Sequence, residues 1–283
     1  MSASVWKKCR LGDIAVITRG GNFQKSDFIP EGKPCIHYGQ MYTHFGAYTE
    51  DVLTYISDKS FSNSQIAVQN DVVMAITSET VEDVCSCVAW LGEDDIAVSG
   101  HTVIIHHDQD PKYLSYFFHS NQFFKQKSRV AHGSKVIEVN PDELKASFII
   151  FPTDIKEQKR IASILSTCDT VIQKTQSTIE KYKAIKQGMM QDLFTRGLTK
   201  DGKLRPSFKD APELYKESEL GMIPKEWEVK TVGSVCSIKG RIGFRGYTMN
   251  DLVEKGYGAI TLSPSNILES NIMNYDKFSW LNA

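Results

Sequence analysis

The chain has 283 residues and a formal net charge of −1 at pH 7, with 41% hydrophobic and 24% charged residues. This composition is typical of a globular protein with a buried core, and no apolar run reaches the roughly 18 residues of a membrane helix. The N-terminal residues lack the apolar stretch of a secretory signal, and the six cysteines are scattered along the chain. We therefore expect a cytoplasmic protein with free thiols and no membrane association.

Residues 1–153 predict a strand-rich mixed α/β domain. An Asn70–Asp71 turn separates two apolar runs, and residues 111–129 follow a period near 3.6 that predicts one helix. Strands are predicted in the β-branched or apolar stretches 84–91, 96–107, 135–140 and 146–152. Residues 11–20 predict a strand or a helix edge that leads into the Gly20–Gly21 turn, and the two apolar runs lie within 65–77.

A Cys-x-Cys pair in this domain raises the question of a metal site. Cys85 and Cys87 are followed by His101, His106 and His107, but a zinc site usually has two paired clusters at finger-like spacing. On a strand over residues 84–89 the two thiols share one face, which suits small core residues. No metal site is expected.

The next segment, residues 154–197, predicts one long helix. It contains no proline, and Gly188 is its only glycine before Gly197. Apolar residues alternate in steps of four and three over more than four heptads, which is a coiled-coil seam. We expect this seam to pair with a second helix, from a partner or from another copy; a helix folded back on the first domain is the alternative. The predicted pairing residues are Ile161, Leu165, Ile172, Ile179, Tyr182, Met189 and Leu193.

The remainder predicts a linker and the start of a repeat. Residues 198–226 are polar and rich in turn residues, which is typical of a surface linker. Trp227 and the glycine six residues later then repeat the pattern that begins at Trp6, with glycine-rich turns and an apolar strand following in both copies. The fold class expected is α+β: a strand-rich mixed α/β domain, a long helix, and a partial second domain over 227–283.

Catalytic signatures are absent from the sequence. It contains no P-loop, no dinucleotide-binding glycine fingerprint, no nucleophile elbow, and no Asn-Pro-Pro-aromatic tetrad of the amino-methyltransferases. The adjacent acids Asp142 and Glu143 imitate part of a nuclease motif, but a metal-dependent nuclease needs acids on separate strands that share a cation. The sequence therefore indicates a binding protein rather than an enzyme.

Three passages resemble the specificity (S) subunits of type I restriction–modification systems. They are the helix entry, the end of the helix, and the re-entry into the repeat, in the family order. The matching residues are Pro152, Glu157, Gln158, Ile161, Ile164, Leu165 and Asp169; then Met190, Gln191, Leu193 and Phe194; then Gly221, Ile223, Pro224 and Trp227.

The resemblance implies a DNA-binding subunit that is itself non-catalytic. In that family two recognition domains each read one half of a bipartite site in double-stranded DNA, and two antiparallel helices set the gap and dock methyltransferase (M) subunits. The complex methylates adenine with S-adenosylmethionine, and restriction (R) subunits make it an ATP- and Mg-dependent endonuclease. This chain is thus expected to bind no cofactor, since those molecules belong to partner subunits.

The chain departs from the full pattern because it has one complete recognition domain and one helix. We expect the unpaired seam to join a second copy, so that two identical domains read a palindromic bipartite site. The alternatives left open are an inactive truncated fragment and a helical interaction protein without a DNA role. The recognition half of a fused enzyme would need catalytic motifs upstream.

Loops rich in amide, basic and aromatic side chains are the candidates for DNA contact, since amides and guanidinium groups read base edges and cations contact phosphates. Between Asp110 and Glu138 the chain has basic residues and no acid, although a solvated helix face would look the same. The candidates are Arg19, Asn22, Gln24, Lys25, His37, Tyr38, Gln40, Tyr42, Lys127, Arg129, His132, Ser134 and Lys135.

Overall fold

A computed structural model gives the fold and describes residues 5–238, 248–268, 272–275 and 278–282. The chain divides into two compact units, Met1–Ala184 and Ile185–Ala283. The strands of the first unit are β1 Trp6–Arg10, β2 Ala15–Arg19, β3 Phe28–Ile29, β4 Lys33–Ile36, β5 Tyr48–Thr49, β6 Thr54–Ile56, β7 Gln65–Ala67, β8 Val72–Ala75, β9 Thr77–Ser78, β10 Cys87–Trp90, β11 Ile96–Val98, β12 Thr102–His107, β13 Ile137–Glu138 and β14 Phe148–Pro152. The helices that begin in it are α1 Gln40–Thr43, α2 Asp58–Ser62, α3 Pro111–Phe118, α4 Asn121–Val130, α5 Pro141–Ala146 and α6 Ile155–Arg196.

Two five-stranded sheets form the body of the first unit. One has the strand order β2-β12-β8-β10-β5 and the other β3-β6-β4-β11-β7, while β1 pairs with β14 in a separate ribbon. Strand β8 is buried on both faces: Val72 and Met74 pack in one core cluster with α3, and Val73 and Ala75 pack in another with strands of the second sheet. Side chains alternate along a strand, so this continuous apolar run serves two cores at once.

The mixed α+β architecture and its strands are confirmed, but the helix predicted over 111–129 is interrupted. It consists of α3 and α4, because the Asp110 carboxylate accepts from the Tyr113 N–H (2.8 Å) and the Ser120 hydroxyl accepts from the Phe123 N–H (3.3 Å). Each side chain caps a new helix start. The break brings Phe118 and Phe123 edge to face, with centroids 4.9 Å apart.

The strand predicted over 84–89 begins later than expected. Cys85 has a positive φ of 63° and lies in a turn before β10. Cys85 and Cys87 are both buried, but they do not share a strand face, because only Cys87 belongs to the strand. Burial raises the pKa of the Cys85 thiol to about 12, which keeps it protonated at neutral pH.

The long helix is confirmed as α6, with 42 residues and a length of about 63 Å at 1.5 Å per residue. Asp154 precedes it, and its carboxylate accepts from the Lys156 N–H at 2.9 Å, which satisfies one unpaired donor of the first turn. Within the described ranges, no helix combines the length and apolar composition needed to cross a membrane.

The second unit begins within α6 and contains the segment predicted as a linker. Its elements are β15 Tyr215–Ser218, β16 Gly221–Pro224, α7 Val232–Val235, β17 Leu252–Val253, β18 Ala259–Thr261 and β19 Ser279–Leu281. Strands β15 and β16 form a hairpin, and the strand order of the last three is β17-β19-β18. Residues 198–226, predicted as a linker, carry this hairpin and a buried arginine, Arg205. The glycine-rich turns predicted for the repeat over 239–247 lie outside the described residues.

His107 at the end of β12 gives the first unit a pH-dependent stability. Its Nδ1 accepts from the Gln109 N–H (3.2 Å), while Nε2 is buried without a hydrogen-bond partner among the described residues. Burial lowers the pKa of His107 from 6.5 to about 4. Between these values the unfolded chain binds a proton that the folded chain does not, so stability falls as the pH drops from 6.5 to 4.

We expect this group to account for up to ~3 kcal/mol of that loss. Urea unfolding of the parent chain and of His107→Gln between pH 7 and pH 4 measures the difference. The exposed His44 supplies the control, because His44→Gln removes a histidine from the surface of the same unit and leaves His107 in place. Equal pH slopes in the parent and His107→Gln would contradict the assignment.

Candidate nucleic-acid interface

The first predicted loop leaves β2 at Arg19 and crosses the turn between β11 and β12. The Gly20 N–H donates to the Thr102 carbonyl (3.0 Å) and the Gly21 N–H donates to the Val98 carbonyl (2.7 Å). A Cβ at Gly20 would lie 2.0 Å from the Ser99 carbonyl oxygen, so only glycine allows this close approach. Among the candidates, Arg19, Asn22, Gln24 and Lys25 are exposed along this loop.

The second predicted loop joins β4 to α1. Tyr38 is half-buried, its N–H donates to the Ser99 hydroxyl (3.0 Å), and its ring lies 5.3 Å from the His101 ring. The Tyr42 hydroxyl donates to the Thr77 carbonyl. The first and second loops therefore both contact the residue 98–102 turn.

His37 and Gln40 stabilise this loop from within. His37 is buried, its Nδ1 accepts from the Gly39 N–H (3.2 Å), and its own N–H donates to the Gln40 side-chain oxygen (2.9 Å). The Gln40 amide nitrogen donates to the Thr54 hydroxyl (3.1 Å). Burial lowers the pKa of His37, which favours the neutral imidazole. The structure places both side chains as supports of the loop, whereas the sequence predicted direct DNA contact.

The third predicted loop follows α4. His132 and Glu138 exchange backbone hydrogen bonds (3.0 and 2.8 Å) that close it, and β13 then pairs with β9. Ser134 and Lys135 at its tip are exposed. The pairing of β13 brings this loop beside the second one.

The second and third loops border a groove of about 460 Å³, called the Tyr38 groove below, and the first loop contacts the 98–102 turn, which contributes His101 to the groove. Its lining residues are Tyr38, Tyr42, Thr77, Ser78, Glu79, Asp83, His101 and Val136. Sequence reasoning missed Glu79, Asp83 and His101 as site residues, and the sequence carries no local signal for them. They reach the groove through strand pairing across the fold.

Lys127 is a correction to the predicted set. Only 6% of this residue is exposed, and its ammonium group donates to the Glu82 carbonyl (2.7 Å) and to the Val84 carbonyl. Burial lowers its pKa. Lys127 ties α4 to the 79–86 loop, while Arg129 in the last turn of α4 is exposed and keeps the predicted accessibility.

A cysteine–histidine contact beside α3 lacks the geometry of a nucleophile and its base. Cys87 Sγ lies 3.8 Å from His119 Nδ1, but that nitrogen lies 2.8 Å from the Ser115 carbonyl oxygen. A carbonyl can only accept, so Nδ1 carries a hydrogen and cannot take the thiol proton. In the described part of the chain, no group of three or more His, Cys, Asp and Glu residues could hold a metal ion.

Most of the predicted helix-pairing residues are exposed to solvent on α6. Ile161 packs against the core of the first unit, whereas every residue from 171 to 190 is exposed, Tyr182 to 66%. Large apolar side chains exposed along this helix are Ile164, Leu165, Val171, Ile172, Ile179, Tyr182, Ile185, Met189, Met190, Leu193 and Phe194. Such an apolar stripe on a rod is typical of a helix whose partner is another helix.

Comparisons with known proteins agree with the sequence resemblance. The chain is 27% identical over 243 residues to a putative type I restriction enzyme MjaX specificity subunit of Methanocaldococcus jannaschii, covering 81% of this chain and 52% of that protein. It is 25% identical over 287 residues to the MjaVIII specificity subunit of the same organism, covering 95% and 60%. The chain thus spans about half the length of the curated relatives it matches.

Solved structures with a similar fold include the S subunit of a type I system from M. genitalium, with a TM-score of 0.45, 17% identity, and coverage of 69% of this chain and 47% of that one. A structure describing assembly of the type I R-M system gives a TM-score of 0.48 at 17% identity, covering 68% and 46%. Family membership rests instead on the family model, which matches residues 3–183. The chain belongs to the family described as the type I restriction modification DNA specificity domain.

Proposed function

We propose that the first unit binds double-stranded DNA and reads one half of a bipartite site. The observation that carries this proposal is that the second and third loops line the Tyr38 groove while the first loop packs on the 98–102 turn that contributes His101 to it. The first and third loops carry exposed cations and amides. Loops held by a rigid scaffold are a common way to build a recognition surface.

The charges of the groove and its rim favour different DNA groups. Glu79 and Asp83 line the groove, and carboxylates repel phosphates but accept hydrogen bonds from the exocyclic amino groups of cytosine and adenine. Arg19 and Lys25 on the first loop and Lys135 on the third are exposed cations suited to phosphates. The rim would therefore position the duplex while the groove and the amides of the first loop read bases.

The partners follow from the family. The chain would be non-catalytic and bind no cofactor, and methyltransferase subunits would methylate adenine with S-adenosylmethionine. Restriction subunits would add ATP- and Mg-dependent cleavage. The exposed stripe of α6 would pair with the same helix of a second copy, so that two identical domains face a palindromic bipartite site. A helical interaction protein would share the stripe, but it has no use for loops with exposed cations and amides beside a groove.

The adenine methylome of cells that express this chain with its cognate M subunit tests the proposal. We expect a palindromic bipartite motif with one spacer length. An asymmetric motif would refute self-pairing of the helix but would still support DNA recognition by this chain. An unchanged methylome, with the chain and the M subunit both expressed and folded, would refute the proposed function and favour an inactive fragment.

Lys135→Ala tests the phosphate role of the rim. We expect weaker binding to all DNA sequences, and a salt dependence of log Kd that is shallower by about one. Binding titrations at several salt concentrations measure both quantities. Lys145→Ala is a suitable control, because that ammonium group pairs with Asp142 at 3.0 Å and lies outside the three loops. An unchanged salt slope for Lys135→Ala, or a loss of preference at a single base pair, would contradict a phosphate contact.

A further inference from the structure

The start of α6 is anchored to the recognition domain by a fully buried amide. Gln158 has 0% exposure, and its side-chain oxygen accepts from the Asp110 N–H (2.9 Å). Its nitrogen donates to the Gln109 side-chain oxygen and to the Pro152 carbonyl, both at 2.8 Å. One turn later, Ala162 is buried in the main core cluster.

A second anchor lies further along the helix. The Tyr116 hydroxyl of α3 donates to the Asp169 carboxylate at 2.6 Å. Burial, with the adjacent carboxylate, raises the pKa of Tyr116, so the hydroxyl keeps its proton and remains a donor. A hydrogen bond to a carboxylate is about twice as strong as one between neutral groups. Beyond Thr170 the described helix residues of this unit are all exposed. Asp169 is therefore the last anchor before the exposed part of the helix.

The spacing of the two anchors determines how tightly the angle between the helix and the recognition domain is held. Gln158 and Asp169 are eleven residues apart, which corresponds to about 16 Å of helix, and Tyr182 lies about 36 Å from Gln158. If the Asp169 anchor opened, a tilt of about 5° about Gln158 would move Tyr182 by about 3 Å. That displacement is close to the ~3.4 Å axial rise of one base pair.

We propose that the Tyr116–Asp169 hydrogen bond, with Gln158, fixes the angle of the helix on the recognition domain and thereby the number of base pairs between half-sites. Tyr116 and Asp169 are positioning residues, because they act on the spacer through the helix and neither is among the candidates for DNA contact. This inference rests on the proposed function. Pro152, Gln158 and Asp169 belong to the first of the three passages that resemble the family, and all three would help to fix the helix angle.

Tyr116→Phe tests the proposal, because it keeps the ring and removes the donor. In the methylome experiment we expect the same half-site bases, with sites one base pair shorter or longer methylated about tenfold more than in the parent. Tyr113→Phe is the matched control: it lies one turn earlier on α3 and loses a hydroxyl bond to the Ile150 carbonyl (2.8 Å), which does not involve α6. The proposal would be overturned if Tyr116→Phe kept the spacer as strict as in the parent, changed the half-site bases, or lost all methylation while still folded. Equal relaxation of the spacer in Tyr113→Phe would also overturn it.

A second measurement does not depend on methylation. Spin labels at Gln24→Cys and Lys181→Cys, in the full chain with the exposed Cys168 and Cys236 changed to Ser, report the distance from the recognition domain to the helix. Dilution with unlabelled chain suppresses distances between copies. We expect a narrow distribution in the parent and in Tyr113→Phe, and one at least twice as wide in Tyr116→Phe. Equal widths would overturn the positioning role even if the parent methylates DNA, whereas an unmethylated genome with the expected widths would refute only the proposed function.

Discussion

Replacing Ile179 with aspartate is expected to dissociate the proposed helix pair. Ile179 lies at the middle of the apolar stripe, and 47% of it is exposed in the single chain. Pairing would bury it in both copies, and each copy would lose about 2 kcal/mol of apolar burial and leave a carboxylate without a partner. Together these effects weaken self-association by at least ~1,000-fold.

Sedimentation equilibrium at micromolar concentration measures this effect. The parent chain should be a dimer and Ile179→Asp a monomer, with unchanged far-UV circular dichroism. Ser177→Asp is the control, because it adds the same charge on the opposite side of the same helix turn and should leave the dimer intact. A monomeric parent chain would rule out self-pairing and assign the stripe to a different protein.

Replacing Gly197 with alanine is expected to destabilise the end of α6 by about 2–4 kcal/mol. Gly197 follows the last helical residue with φ +64°, and a Cβ there would lie 2.7 Å from Cζ2 of Trp227. Left-handed backbone is costly for any residue with a Cβ, and the indole ring would also have to move. The strain and the steric clash therefore add.

The helix end is built by residues from the segment beyond it. The Arg205 guanidinium donates to the carbonyls of Arg196 (3.0 Å) and Leu198 (3.2 Å) and pairs with Glu226 at 2.6 Å. A cation at the C-terminus of a helix complements the helix dipole and satisfies unpaired carbonyls. This contact explains why Arg205 is buried in a stretch whose composition predicted a linker.

Hydrogen exchange at the Gly197 and Arg205 amides measures the local stability. Both N–H groups donate across the helix end, to the carbonyls of Leu193 and Gly197 respectively (3.1 Å each). Gly202→Ala separates strain from clash, because Gly202 has φ +78° with no atom near its Cβ position, and it should cost only ~1–2 kcal/mol. Equal protection in the parent and Gly197→Ala would contradict both the backbone strain at residue 197 and the clash with Trp227.

Local sequence patterns predicted the long helix correctly. They gave the wrong ends for one helix and one strand, because those ends depend on single residues. The heptad stripe persists for more than four repeats, so no single residue could obscure it. The helix predicted over 111–129 failed at Ser120, because that hydroxyl caps a second helix and the break lets three phenylalanines share a core. The strand predicted from residue 84 failed at Cys85, because its positive φ belongs to a turn.

The sequence was enough to predict where the loops of the candidate site lie, but it was not enough to predict which residues pack together there. Gly20–Gly21 and the aromatic stretch after β4 are visible as loops, and both contact the 98–102 turn. The aromatic stretch also borders the Tyr38 groove together with the loop after α4. Lys127 resembles its basic neighbours in sequence, yet the pairing of α4 with the 79–86 loop buries its ammonium group against two carbonyls. Exposure of a long cationic side chain depends on what packs over it, and no local pattern encodes that.

Composition, heptad periodicity and the family-like passages were sufficient by themselves to indicate a globular binding protein, a long helix with an apolar stripe, and membership of a DNA-specificity family. These features repeat along the chain or are contiguous in it, so they can be read locally. Only the tertiary structure decided that Glu79, Asp83 and His101 join the Tyr38 groove, and that Gln158 and Asp169 anchor the helix. Strand pairing and side-chain hydrogen bonds join residues tens of positions apart, and their partners are defined by the fold rather than by spacing in the sequence.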